Sequence, residues 1–166
     1  MRSIASRLIL AVIVSPLIMM CNAQNGRSVA AAQQRTAATL TRIYTGSDGQ
    51  THAQQIDLKL TPNSAFDREQ SETVKVTSSY VVRVPPGFLQ DWHPATARRY
   101  VVTLSGRGEV ELAGGQKISL DPGRILQAED VAGKGHVTRT LGNVDWIALF
   151  VQFDQKTSKL RGSDIS

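Results

Sequence analysis

The sequence predicts an all-β fold: one small domain of antiparallel strands closed into a sandwich or barrel. Three observations carry that reading. Apolar and polar residues alternate with period two in several short runs, the signature of half-buried strands. Gly- and Pro-rich turn signals separate the runs at intervals typical of all-β domains. No stretch after residue 42 has helical periodicity.

Taken in order, Ile56, Leu58 and Leu60 alternate with Asp57 and Lys59. Val74 and Val76 alternate with Thr73, Lys75 and Thr77, and Tyr80–Val84 then runs into the turn Pro85-Pro86-Gly87. Tyr100–Leu104 is a strand closed by Ser105-Gly106. Glu109–Leu112 alternates cleanly, and Gly114-Gly115 reads as a hairpin turn before Lys117–Leu120. Asp121-Pro122-Gly123 turns the chain into a strand over Arg124–Ala128, and His136–Leu141 and Val144–Phe153 complete the set. At 166 residues the chain suits a single domain.

The N-terminus reads differently. Arg2 and Arg7 precede an apolar run from Leu8 to Met20, and Cys21-Asn22-Ala23 offers small residues where a signal peptidase cuts. Residues 1–23 are therefore expected to be a secretory signal peptide, with the protein periplasmic or secreted and no membrane span after cleavage. Lipid attachment at Cys21 is disfavoured by the bulky Met20 just before it. Cleavage after Ala23 leaves no cysteine, which removes disulfides and thiol chemistry. Residues 24–40, rich in Ala, Gln and small polar side chains, are expected to be a disordered linker. The domain is expected over residues 41–154, with 155–166 as a C-terminal tail.

The formal net charge of +5 falls to +3 once Arg2 and Arg7 leave with the signal. The cations are spread along the chain, so nucleic acid is not an expected partner. No Ser/His/Asp or Cys/His arrangement suggests a nucleophile. The Gly133-Lys134-Gly135 loop lacks the strand–loop–helix setting of a phosphate loop.

Two stretches narrow the fold. Gly87, five residues, His93, then Arg99 and Gly106 resemble the first cupin motif, whose second histidine and glutamate positions hold Ala95 and Arg99 here. Gly133-Lys134-Gly135-His136 resembles the second motif, with Thr140 at its usual asparagine. WHPATARRYVVTLSGRGEVEL, LDPGRILQAEDVAGKGH and RIYTGSDGQTH are together similar to a group of small bacterial cupins, over roughly residues 42–153. The resemblance implies a single small cupin, a jelly-roll-like antiparallel β-barrel, with its site in the open mouth. It supplies a fold and a site rather than a reaction.

In that family the motif histidines and glutamate converge on a divalent metal. The resemblance thus implies Fe, Mn, Ni or Zn held by His93 and His136. In place of the missing family ligands, Glu129 and Asp130 at a strand end beside the Gly133 loop, or His52 after the Gly46–Gly49 turn, are candidate additional ligands. Ala95 offers no lone pair, and Arg99 offers only donors and a like charge. Each candidate also has a plain structural reading. The histidines can be hydrogen-bonded scaffold, Glu129 and Asp130 a solvated turn pair, and Arg98 and Arg99 a strand-edge pair. The sharper reading of Arg98 and Arg99 is an anion-binding guanidinium, which Trp92 and Tyr100 join as ligand-binding candidates.

Two functions remain open at this level. One is a small-molecule-binding cupin using a metal for dioxygenase- or isomerase-like chemistry. The other is a non-catalytic envelope binding or sensing module, with a degenerate metal site that takes an anionic or sugar-like ligand. A homodimer through edge strands is a further option.

Overall fold

The computed structural model describes residues 37–154. The expected signal peptide, most of the expected linker and the C-terminal tail lie outside the described residues. Twelve strands follow in order: β1 (Thr39–Thr45), β2 (Thr51–Asp57), β3 (Thr61–Asn63), β4 (Arg68–Gln70), β5 (Val76–Val84), β6 (Leu89–His93), β7 (Arg99–Ser105), β8 (Gly108–Glu111), β9 (Lys117–Leu120), β10 (Ile125–Glu129), β11 (His136–Thr140) and β12 (Trp146–Phe153). The helical content among the described residues is one 3₁₀ turn, Ala113–Gly115.

Ten strands form two sheets. A six-stranded sheet has the order β2-β1-β10-β7-β12-β5, a four-stranded sheet the order β6-β11-β8-β9, and β3-β4 is a separate hairpin. The two larger sheets pack face to face. Ile43, Val84, Val101, Leu126 and Trp146 of the first share one core with Val110, Leu112 and Leu120 on the other side. Each such side chain, fully buried, contributes roughly 1.5–3 kcal/mol. The all-β, jelly-roll-like architecture expected from the sequence is therefore what the chain forms, as a two-layer sandwich. One pairing departs from a purely antiparallel scheme: β1 runs parallel to β10, with Thr41 opposite Leu126 and Tyr44 opposite Glu129.

Most strands fall where the alternation places them. The first does not: the apolar run Ile56–Leu60 is only partly strand, because β2 ends at Asp57. Its register is set by a tight turn, in which Gly46 N–H donates to Gln50 C=O at 2.8 Å, and β2 then pairs along all of β1. Thr39 and Leu40, expected in the linker, already lie in β1, and Leu40 is buried. The turn after β7 depends on Gly106, at φ 68°, where a Cβ would meet Asp145 O at 2.1 Å.

The register assigns side chains to faces. Across the six-stranded sheet, His52, Tyr44 and Glu129 stand in one row on the outer face. Ala53, Ile43, Ala128 and Arg99 make the adjacent row, which faces the four-stranded sheet. The outer face is itself partly covered: Leu40, Tyr100, Val102, Ile125 and Val151 line a second apolar hollow with Val74 from the segment before β5.

Candidate functional site

Between the sheets lies a cavity of about 200 Å³. Its floor is apolar, set by Val110, Leu120, Leu126 and Trp146, each about 2% exposed. Gln90, His93, Thr96, Arg99, His136 and Thr138 supply its polar atoms. Gln90 and Thr96 are exposed and His93, Arg99 and Thr138 half-buried, so the mouth is polar, with His136 buried beside His93.

His93 ends β6 and His136 begins β11. The ladder sets them directly opposite one another, with ring centroids 4.6 Å apart. Gly135 permits that approach: at φ 74° it carries no Cβ, and a Cβ there would sit 2.0 Å from His93 O. Gly135 of the Gly133–His136 motif thus lets the two imidazoles come together.

Each ring is anchored at Nδ1. His136 Nδ1 donates to Asp130 Oδ2 at 2.6 Å, and His93 Nδ1 donates to the Asp91 carbonyl at 2.7 Å. A carbonyl can only accept, so neutral His93 carries its proton on Nδ1 and its lone pair on Nε2. The Asp130 carboxylate fixes the same tautomer in His136. Asp130 is fully buried, also accepts from Thr51 Oγ1 at 3.2 Å, and its backbone carbonyl accepts from Ala95 N–H at 3.0 Å. Its Oδ1 has no hydrogen-bond partner among the described residues. Burial depresses the His93 pKa below the ordinary 6.5, and the neighbouring His136 and Arg99 act in the same direction, partly offset by the Asp91 carbonyl and Asp130.

Arg99 enters the cavity from β7. Its Nε donates to Ala97 C=O at 3.1 Å, Nη2 donates to Thr96 Oγ1, and the guanidinium lies 5.3 Å from the Phe150 ring centroid.

The other candidates lie elsewhere. Arg98, next to Arg99, turns to the outer face, with Nε 3.9 Å from Glu129 Oε1. Glu129 is buried on that face, bound by Arg42 Nε at 2.5 Å and by Gln127 Nε2 at 3.1 Å. Tyr100 packs outward on Phe153, with ring centroids 4.8 Å apart. His52 is exposed and pairs with Asp48. Trp92 is exposed beneath Lys134, whose Nζ is 3.8 Å from the ring centroid. Of the nine candidates, His93, His136, Asp130 and Arg99 come together; Glu129, His52, Arg98, Tyr100 and Trp92 do not join them. Period-two alternation separates Arg98 from Arg99 and Glu129 from Asp130. Thr51, Thr96 and Phe150 belong to the site without any motif signal in the sequence.

The donor set does not match the divalent metal that the resemblance implies. No group of three or more His, Cys, Asp or Glu side chains able to hold a metal occurs among the described residues. Two imidazole nitrogens stand ready, but Asp130 sits at the Nδ1 side of His136 and does not line the cavity, and the position that should bring a carboxylate brings a guanidinium. A resident catalytic metal needs about three protein ligands, so the residues present do not fit one.

No protein-family model and no curated protein matches this chain. Among solved structures, the chain is similar to the DMSP lyase DddQ from Ruegeria pomeroyi, at 27% identity over 46% of this chain and 38% of that one, with TM-score 0.39. It is similar to a cupin-like protein from Thermotoga maritima, at 15% identity over 71% of this chain and 80% of that one, with TM-score 0.39. It is also similar to the dTDP-6-deoxy-D-glucose-3,5-epimerase RmlC from Legionella pneumophila, at 12% identity over 69% and 72% of the two chains, with TM-score 0.36. The chain spans well under half the length of the lyase. At these TM-scores the likenesses carry no argument about activity.

Proposed function

We propose that this protein is a small cupin that binds a small organic molecule in the cavity between its sheets and moves a proton on it without a resident metal. One observation carries the reading: two imidazoles stand side by side at the mouth of an apolar cavity, each tied at Nδ1 so that Nε2 is the basic atom. His136 Nε2 takes a proton from the ligand. Asp130 stabilises the resulting imidazolium through the Nδ1–H bond, as a buried carboxylate does for a catalytic histidine. Return of that proton to the same or a neighbouring atom gives an isomerase-like outcome in which no co-reactant is consumed. His93, held neutral by burial, is the second base and hydrogen-bonding group.

The divalent metal expected from the resemblance is not part of this reading, since Arg99 stands where its carboxylate ligand would. Mass spectrometry after exposure to Fe(II), Mn(II), Ni(II) and Zn(II) should find well under one metal per chain. A full equivalent lost in both His93→Ala and His136→Ala would overturn that statement. Export belongs to the proposal on the strength of Arg2, Arg7, the Leu8–Met20 run and Ala23. N-terminal sequencing of the envelope protein should then begin at Gln24. Among the described residues, no helix is long and apolar enough to cross a membrane.

Proton transfer is tested by incubating the protein in D₂O with a panel of 2-oxo and 3-oxo acids and following deuterium incorporation by NMR. Exchange that falls by about 100-fold in His136→Gln supports it. Equal exchange in wild type and variant, or none on any member, sinks it.

A further inference from the structure

Apart from His136, the most deeply buried side chains lining the cavity are apolar. Val110, Leu120, Leu126 and Trp146 make the floor, and the one polar atom among their side chains is already used: Trp146 Nε1 donates to Thr103 Oγ1 at 3.1 Å. Thr103 Oγ1 in turn donates to Leu120 C=O at 3.1 Å. Those groups thus have no vacant hydrogen-bonding position for a ligand. A hydroxylated body placed there would forfeit its bonds to water with nothing in exchange, whereas a hydrocarbon or aromatic body gains from burial.

The mouth is different. Arg99 is the only guanidinium or ammonium among the residues lining the cavity. Its Nε and Nη2 hold the protein, and Phe150 supports the plane from one side. That leaves Nη1 without a hydrogen-bond partner among the described residues, on a guanidinium that lines the cavity. Within the same mouth, Glu129 is absent: it sits on the far face of the sheet with Arg42 and Arg98. The one carboxylate beside the site, Asp130, is bonded to His136 and lies behind it. No Asp or Glu is among the described residues lining the cavity, so its mouth carries a cation without a neutralising side chain in that lining.

We infer that the ligand of this site is a monocarboxylic acid with an apolar body, its carboxylate on Arg99 and its hydrocarbon or aromatic part among Val110, Leu126 and Trp146. This rests on the cavity being the functional site and names its ligand class. A charge-assisted bond to a guanidinium supplies orientation, and the apolar floor rejects sugars and sugar phosphates by leaving their hydroxyls unpaired. The position that would hold a metal's glutamate instead holds the ligand's counter-charge.

Calorimetric titration of the purified full-length protein with sodium octanoate and sodium phenylacetate tests this, beside acetate, glucose 6-phosphate and octanol. At least one of the two apolar acids should bind at least ten-fold more tightly than acetate, glucose 6-phosphate and octanol, with a negative heat-capacity change. Arg99→Gln should weaken it at least ten-fold, Arg99→Lys should retain part of the affinity, and Arg98→Gln should leave it unchanged. Preference for glucose 6-phosphate, octanol binding as tightly as octanoate, no binding of either acid, or equal affinity in Arg99→Gln would each overturn the inference. The two proposals fail separately. Carboxylate binding on Arg99 without any deuterium exchange removes proton transfer and keeps the ligand class. Exchange that depends on His136 but not on Arg99 does the reverse.

Discussion

Glu129 and Asp130 are consecutive carboxylates, both buried, and they do different things. Glu129 faces out of the six-stranded sheet, where Arg42, Arg98 and Gln127 surround it. Asp130 faces the cavity side, where its carboxylate receives the His136 imidazole and the Thr51 hydroxyl. Burial does not distinguish them, at 7% and 0% exposure. Their partners do. Glu129 is compensated by two permanent cations, so its charge is committed to holding β1, β7 and β10 together. Asp130 faces an imidazole and an alcohol, neither of them a permanent cation, so a proton taken up by His136 is the charge it is placed to compensate. One residue of displacement along a strand turns a structural ion pair into a proton-stabilising pair.

The comparison breaks most visibly at Asp130. Asparagine keeps its volume but presents an amide, and an N–H facing His136 Nδ1 would push the ring proton to Nε2 and remove the basic lone pair from the cavity. Asp130→Asn should therefore lose about 100-fold in the deuterium-exchange rate while remaining folded. Asp130→Ala also strips His136 and Thr51 of their shared acceptor, at a cost of about 3 kcal/mol in urea unfolding. If Glu129→Gln lowered exchange as much as Asp130→Asn, the two carboxylates would not differ in the way their partners indicate.

Glu129→Gln sharpens the contrast from the other side. It removes the negative charge from between Arg42 and Arg98 while keeping the shape of the side chain. Those arginines are partly exposed and can rehydrate, so the expected loss is about 1–2 kcal/mol of stability, less than for a fully buried pair. Exchange and octanoate affinity should stay at wild-type levels.

The same contrast shows what the sequence could reveal. Strands β7 to β12 follow alternation and Gly/Pro turns closely, and the motif spacing of His93 and His136 marks two side chains that face each other. The face of each residue on β7 was not legible. Tyr100 and Val102 are as apolar as Val101, because residues around Leu58 and Val74 cover part of the outer surface. A strand buried on both faces loses the polar signal that tells inside from outside, so Arg98 and Arg99, like Glu129 and Asp130, looked equivalent. Strand β6 carries no apolar alternation because it edges its sheet and is largely exposed. The β3-β4 hairpin is exposed almost throughout and offers no apolar stripe. Asp130's role as the partner of His136 needs the β10–β11 turn closed through Gly135, which no residue-type pattern announces.

A smaller effect separates the two faces by pH. Burial lowers the His93 pKa below 6.5, so the fold favours the neutral ring. The unfolded chain then binds a proton that the folded chain does not. The stabilising effect of a neutral His93 is present above pH 6.5 and is lost as pH falls through the folded-state value. His93→Gln should flatten the decline in unfolding free energy below pH 6.5, measured by urea titrations across that range. A decline unchanged in His93→Gln would move the acid sensitivity away from the cavity mouth.

The smallest effect is expected at His52. Its side chain is 46% exposed, Nε2 rests 3.0 Å from Asp48 Oδ1, and the ring lies 5.9 Å from Tyr44. It stands in the outer row with Tyr44 and Glu129, so a sheet separates it from His93 and His136. The next residue back, Thr51, is the one that points inward to Asp130. His52→Ala should leave the unfolding midpoint, deuterium exchange and octanoate affinity within the scatter of replicate measurements, whereas Thr51→Val removes a hydrogen bond from Asp130 and should lower exchange several-fold. Equal effects from these neighbours would mean that the β1–β2 register is shifted by one residue, since such a slip is the one change that would exchange their faces.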